Sequence, residues 1–377
     1  MTTAIVESYG TALICDVLTA YRRDLERTPD VVRFGDDDAH WLRVALQVER
    51  LAEPVTGRVK RESPLARYSA LRPQRLLALT ERMEAAGALT LAYTTLAAAR
   101  RVWDTADPAS SGVAIFRQAR ICRTSGATQA AENFYTYLYG FATRHRLPEL
   151  RGRALIGRGI IRTLSGDSNA AYRWYAKART ASAYHPVVVA VSYHGEMAAA
   201  LSQDDFSRAL VSGWKALEAG TLSSYDEAGL MVNMASITLR AERPRAALRT
   251  VLGALRKSRH ARVRLTAYSK GAMAAAKLGR PALVEKFAAR LMATAASANF
   301  PLEEMEARSE LAVAFAGVGE TAKARRLARS VRREAFQLGL SVVVQRCESL
   351  LAGDVVAEEI VALSAPAQRV VLELEAA

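Results

Sequence analysis

Five histidines, three cysteines and an aspartate triplet are the side chains of this 377-residue chain best suited to metal or nucleophile chemistry. Their spacing argues against both. His40, His145, His185, His194 and His260 fall at no ligand spacing, and Cys15, Cys122 and Cys347 are too far apart for a paired-thiolate site or a disulfide framework. Asp36, Asp37 and Asp38 offer oxygen ligands to a divalent cation, but such a run ordinarily marks a solvated turn capping a helix. There is no P-loop, dinucleotide fingerprint or HExxH. The glycine-rich run GRGIIRTLSGD (157–167) lacks the spacing of a phosphate cradle and lies in a helical stretch, where Gly157 and Gly159 are expected to serve close packing. No catalytic residue, metal or cofactor is expected, and the chain reads as a non-enzyme.

Basic side chains are the second chemical feature. Lysine and arginine number 52 against 38 acidic residues, for a net charge of +14. Two clusters form a candidate basic surface: Arg245, Arg249, Arg256 and Lys257 within 240–264, and Arg325, Arg329 and Arg332 in KARRLARSVRRE (323–334). A phosphate backbone is attracted to such faces. Helices of an array also turn their polar sides outward, and no interleaved aromatics support base stacking. Nucleic acid is therefore the second partner class considered. No apolar run of about 18 residues is available to span a bilayer, and MTTAIVESYG lacks a signal peptide's basic start. No membrane association is expected, and the cytoplasm is the economical location.

The elements that must position these side chains recur with a period near 39. Small residues fall at Ala92, Ala131, Ala171, Ala209, Ala247, Val284 and Ala324, spaced by 39, 40, 38, 38, 37 and 40. Four residues on come Leu96, Tyr135, Tyr175, Gly213, Val251, Ala288 and Ala328. Three further on come Ala99, Leu138, Ala178, Ala216, Ala254, Leu291 and Val331. Positions i, i+4 and i+7 share one helix face. About five residues before each small position stands a breaker: Gly87, Gly126, Gly166, Asp204, the stretch around Glu242, Gly279 and Gly319. A left-handed residue there ends one helix. Asp167 or Ser168 can cap the next, and Pro244 and Pro281 suit a first helical turn. Each unit reads as helix, tight turn, helix, and no hairpin alone can bury its apolar face.

The second helices resemble those of tetratricopeptide repeats. DDFSRALVSGWKALEAG (204–220) carries Asp205, Phe206, Ala209, Leu210, Ala216 and Leu217 in register, SGDSNAAYRWYAKA (165–178) carries Gly166, Ala171, Tyr175 and Ala178, and SGATQAAENFYTYL (125–138) carries Gly126, Ala131 and Tyr135. The period exceeds that of the common repeat, Ile115, Leu155, Met231 and Arg308 replace an early first-helix aromatic, and no unit carries the usual terminal proline. The resemblance implies an all-α, right-handed α-solenoid of stacked antiparallel hairpins, with first helices lining a concave face. It further implies a scaffold or adaptor binding a peptide or protein there. The matching groove positions are Phe116, Arg120, Arg123, Arg153, Ile156, Ile160, His194, Val232, Ser236, Ser269 and Met273. The early part is basic over an apolar floor, which suits an acidic or carboxylate-bearing peptide.

Three regions follow. Residues 1–69 form a leader or cap, with amphipathic helices at 4–27 and 38–53 and a proline-containing linker at 54–73. Residues 70–340 hold seven repeats. Residues 341–377 are expected to cap the array with helices, although LSAPAQRVVLEL (363–374) also resembles the opening of a LuxR-type helix-turn-helix.

Overall fold

The computed structural model describes scattered helical positions between 77 and 100, then residues 107–296, 300–353 and 360–376. The leader helices, the 54–73 linker, Gly87, Ala99, Cys15, His40 and the Asp36–Asp38 triplet lie outside the described residues. Among those described, every regular element is a helix. In chain order these are α1 (Pro108–Thr124), α2 (Thr128–Arg144), α3 (Pro148–Leu164), α4 (Ser168–Ala181), α5 (Pro186–Leu201), α6 (Phe206–Glu218), α7 (Ser224–Arg240), α8 (Pro244–Lys257), α9 (Ala261–Lys277), α10 (Pro281–Ala295), α11 (Pro301–Gly317), α12 (Thr321–Gln337), α13 (Ser341–Ala352) and α14 (Ala365–Ala376). The chain divides into two compact units, Met1–Val188 and Val189–Ala377.

The first-to-second helix turns use one device. Gly126, Gly166, Asp204, Glu242, Gly279 and Gly319 all take positive φ, between 53° and 82°. The amide after each reaches back five residues: Ala127 to the Cys122 carbonyl, Asp167 to Arg162, Asp205 to Ala200, Arg243 to Thr238, Arg280 to Ala275 and Glu320 to Phe315, at 2.8–3.0 Å. This Schellman closure satisfies carbonyls that the ending helix leaves open. Asp167 and Asp205 then cap the following helix, accepting from the amides of Ala170 and Arg208. Pro244 and Pro281 open α8 and α10, as the sequence suggests. Prolines that the sequence reading passed over also open four first helices: Pro108, Pro148, Pro186 and Pro301.

The three repeat columns are the core. Ala131, Ala171, Ala209, Ala247, Val284 and Ala324 are at most 1 % exposed, and Tyr135, Tyr175, Leu138, Ala178, Ala216, Ala254, Leu291 and Val331 are equally closed to solvent. In the first unit α1 packs on α2 and α3, and α3 on α2 and α4. In the second, α7 pairs with α8, α9 with α10 and α11 with α12, and first helix meets first helix from α7 to α9, α11 and α13. Arg308 stands where an early first-helix aromatic is expected. It is 8 % exposed, and its guanidinium donates to Glu334 at 2.8 and 3.0 Å and to Glu304 at 3.0 Å. Residues 341–377 split: α13 stacks on α11 and α12, whereas α14 lies along α6 and α8 instead of continuing the stack.

Two glycines fix α3. A Cβ on Gly157 would sit 2.2 Å from the Tyr135 ring, and one on Gly159 would sit 2.5 Å from the Tyr175 ring. We expect Gly157→Ala to lower stability by about 1–3 kcal/mol through overpacking. Urea denaturation checks this, and an unchanged midpoint would contradict the packing account.

Candidate functional site

One face of α1 presents Ala109, Val113, Phe116, Arg117 and Arg120, the spacing that keeps residues on one side of a helix. Opposite stand Leu147 and the start of α3, with Glu149, Leu150 and Arg153. Glu81 and His185 also line the cleft, which measures about 570 Å³. Val113, Phe116, Leu147 and Leu150 make its floor.

Each arginine already holds a carboxylate. Arg117 meets Glu81 at 3.0 Å and donates to Thr80 Oγ1 at 3.2 Å. Arg120 donates through Nε and Nη2 to Glu84. Arg153 meets Glu149 at 2.8 Å and lies over the Phe116 ring at 5.4 Å. Glu149 also faces His185 Nε2 at 3.8 Å. Three arginines against three glutamates leave the arginine lining charge-balanced, so the basic groove expected from sequence is an ion-paired one. Pairs this exposed add roughly 0–1 kcal/mol each to stability. Their larger effect is to hold each guanidinium in a fixed place.

Of the expected groove residues, the structure brings Phe116, Arg120 and Arg153 into this cleft. Arg123 does not line the cleft; it is half-buried, and its charge opposes the burial that raises the Tyr135 phenol. Ile156 and Val232 are 3 % and 4 % exposed, so helix packing closes over them and neither can line an open groove. Ser236 is half-buried and its hydroxyl donates to the Val232 carbonyl at 3.1 Å. His194 is half-buried on α5, and burial holds its imidazole below the usual range against the opposing pull of Asp226. Arg117, Glu81, Glu84, Glu149 and His185 were missed. A signal existed, because Arg117–Glu81 and Arg120–Glu84 are both 36 residues apart, close to one repeat.

The basic surface is partly spent. Lys257 pairs with Glu227 at 2.5 Å and Arg332 with Glu348 at 3.7 Å. Arg249 donates to the Glu375 carbonyl and Arg325 to that of Leu351. Arg245, Arg256 and Arg329 remain exposed without a hydrogen bond or ion pair to a described residue. Burial pushes the Cys122 thiol up to about 11, which removes it as a nucleophile. No group of His, Cys, Asp and Glu among the described residues could hold a metal, and no described helix is long and apolar enough to cross a membrane.

The second unit lines α11 with Glu303, Glu306 and Glu310. Lys270 Nζ lies 2.5 Å from Glu310, the Ser269 hydroxyl donates to it at 2.8 Å, and Arg262 pairs with Glu303 at 2.5 Å.

What decides the repeat type is a shared construction: each described hairpin has a left-handed turn and a buried small-residue column on its second helix, and first helix stacks on first helix from α1 to α3 in the first unit and from α7 through α9 and α11 to α13 in the second. The array is tetratricopeptide-like. No family model matches the chain, and no curated protein matches it. Among solved structures, this repeat array is similar to a Rap protein complexed with competence and sporulation factor, at 12 % identity and a TM-score of 0.42, covering 99 % of this chain and 100 % of that one. It is also similar to the TPR2AB domain of yeast Sti1 in complex with pHSP90, at 14 % identity and a TM-score of 0.29, covering 75 % and 98 %.

The acidic line on α11 yields a titration order. Burial raises the Glu310 carboxyl, but Lys270, Arg346 and Ser269 outweigh it and hold it below the usual range. Burial, Glu310 and Glu303 hold Glu306 above that range. Glu310 therefore contributes stability above the ordinary carboxylate pKa, lost as pH falls through its depressed value, whereas protonating Glu306 relieves strain as pH falls through its raised one. In an NMR side-chain titration Glu306 should take its proton at higher pH than Glu310, and Lys270→Met should raise Glu310. The reverse order would refute this electrostatic account.

Proposed function

We propose that the chain is a non-catalytic scaffold that holds a peptide or protein segment in the cleft between α1 and α3. The observation that carries this reading is the convergence of an apolar floor with three positioned guanidinium groups in one cleft. An aliphatic or aromatic side chain of the partner fits against Phe116, Val113 and Leu150. Arginine forks match carboxylates in bidentate geometry. A partner carboxylate beside the anchor can take over Arg153 from Glu149 or Arg120 from Glu84. Because the lining arginines are matched by glutamates, the apolar anchor selects the segment and overall acidity does so less. The two similar structures are a Rap protein with its bound factor and a domain with bound pHSP90, which accords with a binding role.

A phage-displayed peptide library selected on the whole chain tests this. Enriched peptides should carry an apolar anchor next to Asp or Glu. Phe116→Glu and Arg153→Ala should each weaken them at least about tenfold, near 1.4 kcal/mol, while Arg329→Ala on α12 leaves affinity unchanged. Equal binding to the wild-type chain and Phe116→Glu would reject the cleft as the site.

A further inference from the structure

The second unit holds a helix out of sequence order. α14 lies along the second helices α6 and α8. The Val361 amide donates to the Arg240 carbonyl at 3.1 Å, and the Ser364 amide donates to Ser207 Oγ at 2.9 Å, across 157 residues of sequence. At the other end the Arg249 guanidinium donates to the Glu375 carbonyl. A cation there completes a helix C-terminus, whose last carbonyls carry partial negative charge.

The contact face of α14 is a narrow stripe. Ala367, Val370, Val371 and Leu374 follow the i, i+3, i+4, i+7 spacing, are at most 6 % exposed, and share a cluster with Leu210, Ala216 and Ala246. Gln368, Arg369, Leu372 and Glu373 face solvent, Leu372 at 65 % exposure. The helices beneath are held independently of α14. α7 packs on both α6 and α8, and α9 adds to α8. Gly213 of α6 receives Met197 of α5 and Met234 of α7. α14 adds four buried side chains to the outside of a layer that is already built. Such a peripheral element opens at far lower free energy than the array beneath it.

We propose that the groove between α6 and α8 is a docking site for an amphipathic partner helix. That helix carries small or aliphatic residues at the i, i+3, i+4, i+7 spacing and ends against Arg249. α14 occupies the groove in cis until such a helix displaces it. This is helix-in-groove recognition, with the chain's own helix as template. The site is separate from the α1–α3 cleft, so either proposal can fail alone.

The test uses the full chain and a dye-labelled peptide of residues 360–376, read by fluorescence anisotropy. Val371→Asp with Leu374→Asp releases α14 by burying charge. Val361→Pro loosens it more gently by removing the amide that reaches Arg240. Both released chains should bind the wild-type peptide. The unaltered chain should bind it at least about tenfold more weakly, because a tethered helix competes at an effective concentration on the order of millimolar. A peptide carrying the two aspartates should bind none of them. Absence of binding to either released chain, equal binding to all three, or loss of cooperative thermal unfolding in both variants would overturn the proposal.

Discussion

The first unit depends on the closure of two tyrosine rings over two glycines. Gly157 and Gly159 are two residues apart, so on a helix they point to nearly opposite sides. Tyr135 of α2 fills one notch and Tyr175 of α4 fills the other. α3 is thereby held between the second helix before it and the second helix after it. Both rings are 1 % exposed, and each contributes the burial of a large aromatic surface. Arg153 lies one turn before Gly157, so the clamp that seats α3 also sets the wall of the cleft. The second unit uses the same device with different side chains: Gly271 of α9 receives the Phe287 ring, and Gly253 of α8 receives Met231.

Charge pairing follows the repeat as packing does. Arg120–Glu84, Lys277–Glu242, Lys323–Glu285 and Lys270–Glu310 span 36, 35, 38 and 40 residues. Equivalent positions on neighbouring repeats lie side by side, so opposite charges one period apart meet across the stack. Exposed pairs of this kind contribute little to stability. In the α1–α3 cleft they matter in another way: they hold arginine forks ready and cancel their charge, which turns the expected basic groove into an apolar site with a polar rim. On α11 the balance is different. Glu310 is gripped by Lys270, whereas burial, together with the neighbouring Glu310 and Glu303, lifts Glu306 above the usual carboxylate range.

The strong positive charge is accounted for in the same terms. Part of it lies in cross-repeat pairs, part caps helix ends, as Arg249 does for α14, and part stays free on outward faces, as at Arg245 and Arg329. Arg308 is the extreme case, a buried guanidinium held by two carboxylates.

The sequence by itself determined the repeat. The small-residue column, the ring or small side chain four positions on, and the left-handed breaker five before it are local requirements of helix packing and helix ending. Each unit states them independently, so the period is legible without a fold. Asp167 and Pro244 as helix starters belong to the same class. Only the tertiary structure decided which groove positions are open. Ile156 shares a helix face with the half-buried Arg153 and Ile160, and Val232 with the half-buried Ser236, yet packing closes over both, and periodicity does not record how wide a neighbour's side chains are. It also decided that Arg120 and Arg153 are paired, because a partner one repeat away is fixed by stacking. The place of α14 was equally closed to sequence reading. Its amphipathic stripe shows that it must be covered, but a stripe of four apolar residues fits the end of the array and the outside of α6 and α8 alike, and only the three-dimensional meeting of Ser364 with Ser207 and Glu375 with Arg249 chooses between them.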